Sequence, residues 1–193
     1  MKYLLTIFIL LLSLRASASA YLGLQYGYSQ YSSDITDKYK LNQKGANYGG
    51  FFGFGKEFIG LEGFFQSLNT TGKVKHDGES LDFNTNATAI GAALRLSFAF
   101  YYLRAGIGSY TLNQEVKANT AASQQTADKV YDVQDGVKKN GVLLGFGLHK
   151  RLGEFVTFID YTRHQIAGGG NYDSFSAGVS FNIPEKIFDF GKF

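Results

Sequence analysis

The sequence predicts an all-β fold, an eight-stranded antiparallel up-and-down transmembrane β-barrel. Three observations predict it: a secretory leader opens the chain, alternating segments of about 10 to 15 residues follow, and long and short connections alternate between them. Residues 21–28 and 175–183 show the alternation most clearly, with large apolar side chains on one face and Gly, Ser, Gln or Asn on the other. An apolar outer face and a small, polar inner face are typical of a barrel that stands in lipid.

Eight segments keep this period of two, and each could cross a membrane as a tilted strand. The predicted strands are 21–31, 47–56, 58–68, 83–97, 100–112, 140–149, 155–164 and 172–183. Their outward positions carry, in order, Leu22, Leu24, Tyr26, Tyr28; Phe52, Phe54; Ile59, Leu61, Phe65; Ile90, Leu94, Leu96; Tyr101, Leu103, Ile107; Val142, Leu144, Phe146, Leu148; Phe155, Ile159, Tyr161; and Phe175, Val179, Phe181, Ile183. None of these is charged, as a lipid-facing surface requires, because Lys or Arg at mid-bilayer costs about 2–4 kcal/mol.

The connections between the segments differ in length. Four are polar and mostly long, at 32–46, 69–82, 113–139 and the shorter 165–171. Three are tight, around Glu57, around Phe98 and Ala99, and at 150–154. Short periplasmic turns and longer extracellular loops alternate in this way in outer-membrane barrels.

Glycine follows the inward parity, where a narrow eight-stranded barrel has little room for side chains. The inward glycines are Gly23, Gly27, Gly49, Gly53, Gly55, Gly60, Gly91, Gly106, Gly108, Gly141, Gly145, Gly147 and Gly178. A soluble lipocalin-type barrel is the competing fold, but it points its large apolar side chains inward around a ligand cavity. The small, polar inner face predicted here favours the membrane barrel.

The first twenty residues have the features of a signal peptide: Lys2, an apolar run at 3–14, and a small-residue cleavage site ending at Ala20. The prediction is therefore a signal peptide at 1–20, a barrel at 21–183 and a C-terminal tail at 184–193. Lys2 and Arg15 leave with the leader, so the mature chain has 17 basic and 16 acidic residues. This balance argues against a nucleic-acid partner, and the absence of Cys excludes disulfides.

A few charged residues fall on the inward parity near the short turns. They are Glu62, Arg95, Arg104 and Asp160, with His149 close to a periplasmic turn. An isolated ion in a narrow lumen is poorly solvated and seeks a partner, so we expect a charge network here that either plugs the barrel or gates a narrow conduit. Phe64, Tyr102, Tyr110, Leu143 and Phe158 share the inward parity and would obstruct flow, which favours the plug.

Tyrosines near strand ends suit the aromatic girdles at the two membrane interfaces. The predicted interfacial aromatics are Tyr28, Tyr31, Tyr101 and Tyr161. Trp is absent from the chain, so such a girdle would consist of Tyr and Phe.

The chain resembles the OmpA/OmpX-type family of small outer-membrane barrels. The resemblance rests on the strand at 21–28, the strand at 158–162, the closing strand at 177–181 and a final aromatic residue, Phe193, although the tail at 184–193 separates that residue from the last strand. It implies an integral protein of the outer membrane of a Gram-negative-type bacterium, assembled by the barrel-assembly machinery and surrounded by outer-membrane lipids and lipopolysaccharide. In such relatives, lumenal charges form salt bridges that plug the barrel.

The expected role is structural or surface-interaction (adhesion-like), without turnover, cofactor or metal. A surface ligand would be bound through the loops 32–46, 69–82 and 113–139, because loops carry most binding sites. A narrow passive, porin-like channel is the alternative, and a lipid-modifying enzyme is the third possibility. Lipid A deacylases use a His-x-Ser pair on a late strand, but here Gln165 and Ile166 follow His164, and His76 belongs to a polar loop.

Overall fold

Eight antiparallel strands form one sheet that closes on itself in the computed structural model, which describes residues 19–33, 42–56, 58–76, 79–118, 120, 124 and 135–183. The predicted fold class is confirmed. The strands are β1 Ser19–Ser32, β2 Gln43–Gly55, β3 Ile59–His76, β4 Glu79–Ser97, β5 Tyr101–Ala118, β6 Val137–Leu152, β7 Phe155–Ile166 and β8 Gly170–Ile183.

Pairing of the first and last strands closes the barrel. β1 runs antiparallel to β8 from Ala20 opposite Ile183 to Ser32 opposite Asn171, and every other strand pairs with its neighbours in chain order. Closure leaves no sheet edge where all eight strands are paired. The backbone N–H and C=O groups there find hydrogen-bond partners within the sheet, without water. Over the described residues, no helix is long and apolar enough to cross a membrane.

β3, β4 and β5 are the three longest strands, followed by β6 with 16 residues. β3, β4 and β5 have 18, 19 and 18 residues, whereas β7 has 12. The prediction of a long loop at 69–82 was therefore wrong: β3 and β4 stay paired out to His76 opposite Glu79. The segment is mostly polar, with Leu81 as a buried apolar side chain, and main-chain hydrogen bonds hold it as a hairpin. β5 likewise continues to Ala118 and β6 begins at Val137, so the strands enter the predicted loop 113–139 from both ends.

The predicted tight turns lie close to where they were expected. β4 ends at Ser97 and β5 begins at Tyr101, with the Phe98 amide donating to the Tyr101 carbonyl at 2.8 Å. The connection predicted at 150–154 is shorter than expected, because β6 runs to Leu152 and only two residues separate it from β7. Gly153 makes this sharp reversal possible with a φ of 67°, a left-handed conformation that glycine adopts without strain.

The outer face carries charged side chains near the strand ends. Arg163 on β7 and Asp173 on β8 face outward as a cross-strand pair, with 3.5 Å between the Arg163 Nε and Asp173 Oδ1 atoms, and Tyr161 donates a hydrogen bond to Asp173. Lys138 and Lys150 of β6 also lie on the outward parity and are exposed. The outward residues named above are uncharged, but these positions place charge on the outer face.

Several predicted segments lie wholly or partly outside the described residues, including the tight turn at Glu57 and parts of the loops 32–46, 69–82 and 113–139. The tail at 184–193 and residues 1–18 of the predicted signal peptide are among them. Ser19 and Ala20 of the predicted leader begin β1, so cleavage after Ala20 stays a prediction.

Candidate functional site in the barrel lumen

The centre of the lumenal site is a pair of arginines that the strand register places opposite each other. Arg95 on β4 and Arg104 on β5 are direct cross-strand partners, and both side chains point inward. Like charges in directly opposed positions destabilise a sheet. The arrangement therefore needs a counter-charge close by.

Glu62 on β3 supplies that counter-charge. Its side chain is fully buried, with Oε1 at 3.3 Å from Arg95 Nη1 and Oε2 at 3.2 Å from Arg104 Nε. One carboxylate thus bridges the two guanidinium groups, one oxygen to each. The Tyr21 hydroxyl donates a further hydrogen bond to Oε1 at 3.0 Å.

Asp160 on β7 completes the network from the opposite wall. Its Oδ2 atom lies 3.5 Å from Arg104 Nη1 and accepts a hydrogen bond from the Tyr102 hydroxyl at 3.0 Å. Two carboxylates therefore face two guanidinium groups, and the buried layer is formally neutral. Arg95 also stacks over the Tyr102 ring, 4.0 Å from its centroid, which is a favourable cation–π geometry.

Glycines let the two tyrosines reach the carboxylates. Tyr21, Gly53 and Glu62 follow one another across β1, β2 and β3, and Tyr102, Gly147 and Asp160 do so across β5, β6 and β7. A Cβ atom on Gly53 or Gly147 would lie 2.5 or 2.4 Å from the tyrosine ring. In both rows the tyrosine ring lies over the glycine, and its hydroxyl donates a hydrogen bond to the carboxylate on the next strand.

His149 joins the network from the end of the barrel with the short turns, and its contacts define one tautomer. Arg95 Nη2 lies 3.3 Å from His149 Nδ1, and His149 Nε2 lies 3.0 Å from the Phe98 carbonyl oxygen. A guanidinium only donates and a carbonyl only accepts, so Nδ1 is the acceptor and Nε2 carries the proton. His149 is thus neutral and accepts a hydrogen bond from Arg95.

The five residues predicted to form the network are brought together: Glu62, Arg95, Arg104 and Asp160 as ion pairs, and His149 through Arg95. The prediction missed the two tyrosine donors, Tyr21 and Tyr102. The Tyr-Gly-acid rows could have revealed them, given the strand register.

Aromatic rings fill the lumen beside this layer. Phe51 packs against Phe158 at 5.7 Å between centroids, and its ring occupies the space that a side chain on Gly23 would need. Phe64 lies over Gly91, and Phe158 over Gly178, in the same way. Several inward glycines are therefore sites over which bulky lumenal rings lie.

The opposite end of the lumen, away from the short turns, is closed by tyrosines, and here one prediction was wrong. Tyr31, expected in the interfacial girdle, is only 4% exposed and points inward, where its hydroxyl donates to the Gly169 carbonyl at 2.7 Å. Its ring lies 4.8 Å from that of Tyr172. Tyr31 shares the inward parity of Tyr21, which explains its position.

The other predicted girdle residues face outward. Tyr28 is 42% exposed, Tyr101 stacks on Phe98 at 4.5 Å, and Tyr161 packs against Phe175 at 5.0 Å. Several outward phenylalanines near the periplasmic turns were not predicted as part of the girdle: Phe54, Phe58, Phe98, Phe100 and Phe155.

The two histidines considered for catalysis lie on separate strands. His164 is fully buried in the lumen, with Nδ1 at 3.0 Å from the Tyr110 hydroxyl, so its ring does not face lipid. His76 is the last residue of β3, with its backbone paired to Glu79, and not part of a loop as predicted.

Below the network, at the end of the barrel with the short turns, the lumen opens into a vestibule of about 690 Å³. Arg95, His149 and Tyr21 line it on the lumen side, and Lys56 and Arg151 line it nearer the mouth. The charge network therefore separates this vestibule from the aromatic layer above.

Comparisons with known proteins give matches in structure. No protein-family model and no curated protein matches the sequence. The fold matches Ail, the attachment invasion locus protein of Yersinia pestis, with a TM-score of 0.52 and 14% identity over 86% of this chain and 99% of that one. Neisserial surface protein A matches with a TM-score of 0.50 and 12% identity over 86% and 99%. At such identity the likeness establishes the shared eight-stranded barrel fold alone.

Proposed function

We propose that this chain is an integral outer-membrane barrel with a closed lumen and a structural or surface-interaction role, without turnover. The observation that carries the proposal is the neutral charge layer. Glu62, Arg95, Arg104 and Asp160 are each at most 7% exposed and neutralise one another across the lumen. The aromatic layer and the Tyr31–Tyr172 pair block the lumen above it.

The surface role is supported by the part of the sheet in which β3, β4 and β5 continue beyond the other strands, here called the extension: residues 69–76, 79–86 and 113–118. β3, β4 and β5 remain paired there, and Lys73 and Asp82 form an ion pair at 3.4 Å. Glu115 lies 3.2 Å from Lys117 and accepts a hydrogen bond from Asn84. These hydrogen bonds lower the pKa of Glu115, so its carboxylate stays charged in mildly acidic surroundings. The extension thus displays a polar, charged surface on a regular backbone, as a recognition site needs.

The refolded protein is expected to be silent in a planar lipid bilayer, and Asp160→Asn is expected to produce discrete conductance steps. The substitution leaves Arg104 with one counter-ion instead of two and so loosens the layer. Single-channel recording checks this, on material whose gel mobility changes on boiling. Asp173→Asn removes an outward carboxylate and is the control. If the Asp160→Asn variant folds but does not conduct, Asp160 does not contribute to closing the lumen.

Replacing both lysines of the extension is expected to weaken attachment severalfold. Cells that display the protein would be allowed to settle on cultured epithelial cells, and Lys73→Ala/Lys117→Ala would be compared with wild type. Lys150→Ala, an exposed lysine near the opposite end of the barrel, is the control. Equal attachment by all three, at equal surface levels, would show that the extension is not the contact surface.

A narrow passive channel is the second candidate, and one observation favours it. Buried polar atoms on β7, β8 and β1 have no hydrogen-bond partner among the described residues, including Thr162 Oγ1, Ser174 Oγ and Gln25 Oε1. They form a polar strip beside the aromatic rings, which is where a conduit would run. Reproducible conductance by the wild-type protein would make this the preferred function.

A further inference from the structure

A groove interrupts the outer face of the barrel where β4, β5, β6 and β7 meet. The register aligns Ile90, Ser109 and Asn140 in one outward row across β4, β5 and β6. The adjacent row contains Ala92, Ile107 and Gln165. The small side chains of Ala92 and Ser109 lie between two isoleucines that are 61% and 69% exposed, and the groove has a volume of about 980 Å³.

The groove changes from apolar to polar along the strands. On β5, Ile107 lies nearer the periplasmic turn at 98–100 and Ser109 lies farther from it. On β6, Asn140 lies farther from the periplasmic turn at 153–154 than the outward apolar positions that follow it in the chain. With a rise of about 3.3 Å per residue and a tilt of about 40°, Ser109 stands roughly 20 Å and Gln165 roughly 25 Å above the periplasmic turns. A lipid-facing apolar belt is about 25 Å tall, so Gln165 lies at the outer headgroup level and Ser109 about 5 Å below it.

Basic side chains flank this polar end. Lys138 is exposed and lies two residues beyond Asn140 on the same face of β6. Arg163 lies two residues before Gln165 on the same face of β7, and its side chain is 42% exposed beside Asp173. Amide and hydroxyl groups with nearby cations suit a phosphorylated headgroup, because phosphate accepts hydrogen bonds and carries negative charge.

We propose that this groove is a binding site for one outer-leaflet lipid with a phosphorylated headgroup. An acyl chain lies over Ala92 between Ile90 and Ile107, and the headgroup contacts Ser109, Asn140 and Gln165 with its phosphate towards Lys138 and Arg163. The site rests on the proposed outer-membrane location and names a lipid partner for it. It is separate from the lumen and from the β3–β5 extension.

The test is native mass spectrometry of the detergent-solubilised protein titrated with bis-phosphorylated lipid A and with its dephosphorylated form. Wild type is expected to retain one lipid A molecule. Ala92→Leu/Ala167→Leu fills the groove with lipid-compatible side chains and is expected to weaken retention about tenfold. Ala177→Leu places the same side chain on the outer face of β8, away from the groove, and is expected to match wild type.

Lys138→Gln separates headgroup recognition from general lipid affinity. It is expected to weaken retention of the phosphorylated lipid and to leave the dephosphorylated form unchanged. Equal retention by the filled variant and the Ala177→Leu control, or equal binding of both lipids by wild type, would overturn the site. Failure of the protein to fractionate with the outer membrane would instead overturn the proposed function, so the two failures are distinguishable.

Discussion

Glu62→Gln is expected to lower the free energy of unfolding by about 3–5 kcal/mol, the usual cost of removing one partner from a buried ion pair. The substitution leaves Arg95 and Arg104 opposite each other in the sheet with Asp160 as the one remaining carboxylate in contact with the layer. The amide keeps the size of the side chain, so the effect is electrostatic and not one of packing. Urea unfolding of the refolded protein in detergent measures it.

Two variants show whether charge is the cause. Glu115→Gln removes an exposed carboxylate from the extension and is expected to leave stability unchanged. Glu62→Gln/Arg95→Gln restores a neutral layer, with Arg104 paired to Asp160, and is expected to recover much of the loss. If the double variant loses the sum of the two single effects, the bridge is not what makes Glu62 important.

Gly91→Ala is expected to destabilise the barrel by about 2 kcal/mol or more, within the range for overpacking a close-packed interior. The added Cβ atom would lie 2.2 Å from the Ile107 carbonyl oxygen and 2.6 Å from the Phe64 ring. The carbonyl belongs to the paired strand β5, so relief would require the β4–β5 ladder to move. The same urea titration measures the change.

Gly63→Ala is the matched control for Gly91→Ala. Gly63 is in the neighbouring strand but faces outward, and its nearest atom, the Phe52 carbonyl oxygen, lies 3.9 Å from the added Cβ. An added methyl group there also restricts the unfolded chain, so stability is expected to stay equal or to rise slightly. Equal loss in both variants would mean that glycine is needed for the strands themselves and not for lumenal space.

Parity explains both the success and the error of prediction for individual side chains. The alternation assigned Glu62, Arg95, Arg104 and Asp160 to the lumen, and they lie there because successive strand residues face opposite sides. Tyr31 lies near the end of β1, which favours an interfacial position, but it faces the lumen as its inward parity requires. Parity was the stronger constraint.

The extension of β3 and β4 could not be predicted from the apolar pattern. Residues 69–82 have the polar composition of a loop, and the period of two is a strong signal where one face is apolar. Beyond the membrane-facing wall both faces can be polar. Main-chain pairing continues there, from Asn69 opposite Asn86 to His76 opposite Glu79, with apolar burial limited to scattered residues such as Leu81.

The sequence by itself determined the number of strands, their order and the face that each side chain takes, because these depend on local alternation and on connection length. Tertiary structure alone decided which side chains meet: Glu62 bridges two arginines, Tyr102 reaches Asp160 across Gly147, and Ile90 and Ile107 border a groove. These contacts join different strands, and their alignment depends on the stagger with which the sheet closes. That stagger is a property of the whole barrel, which no single strand carries.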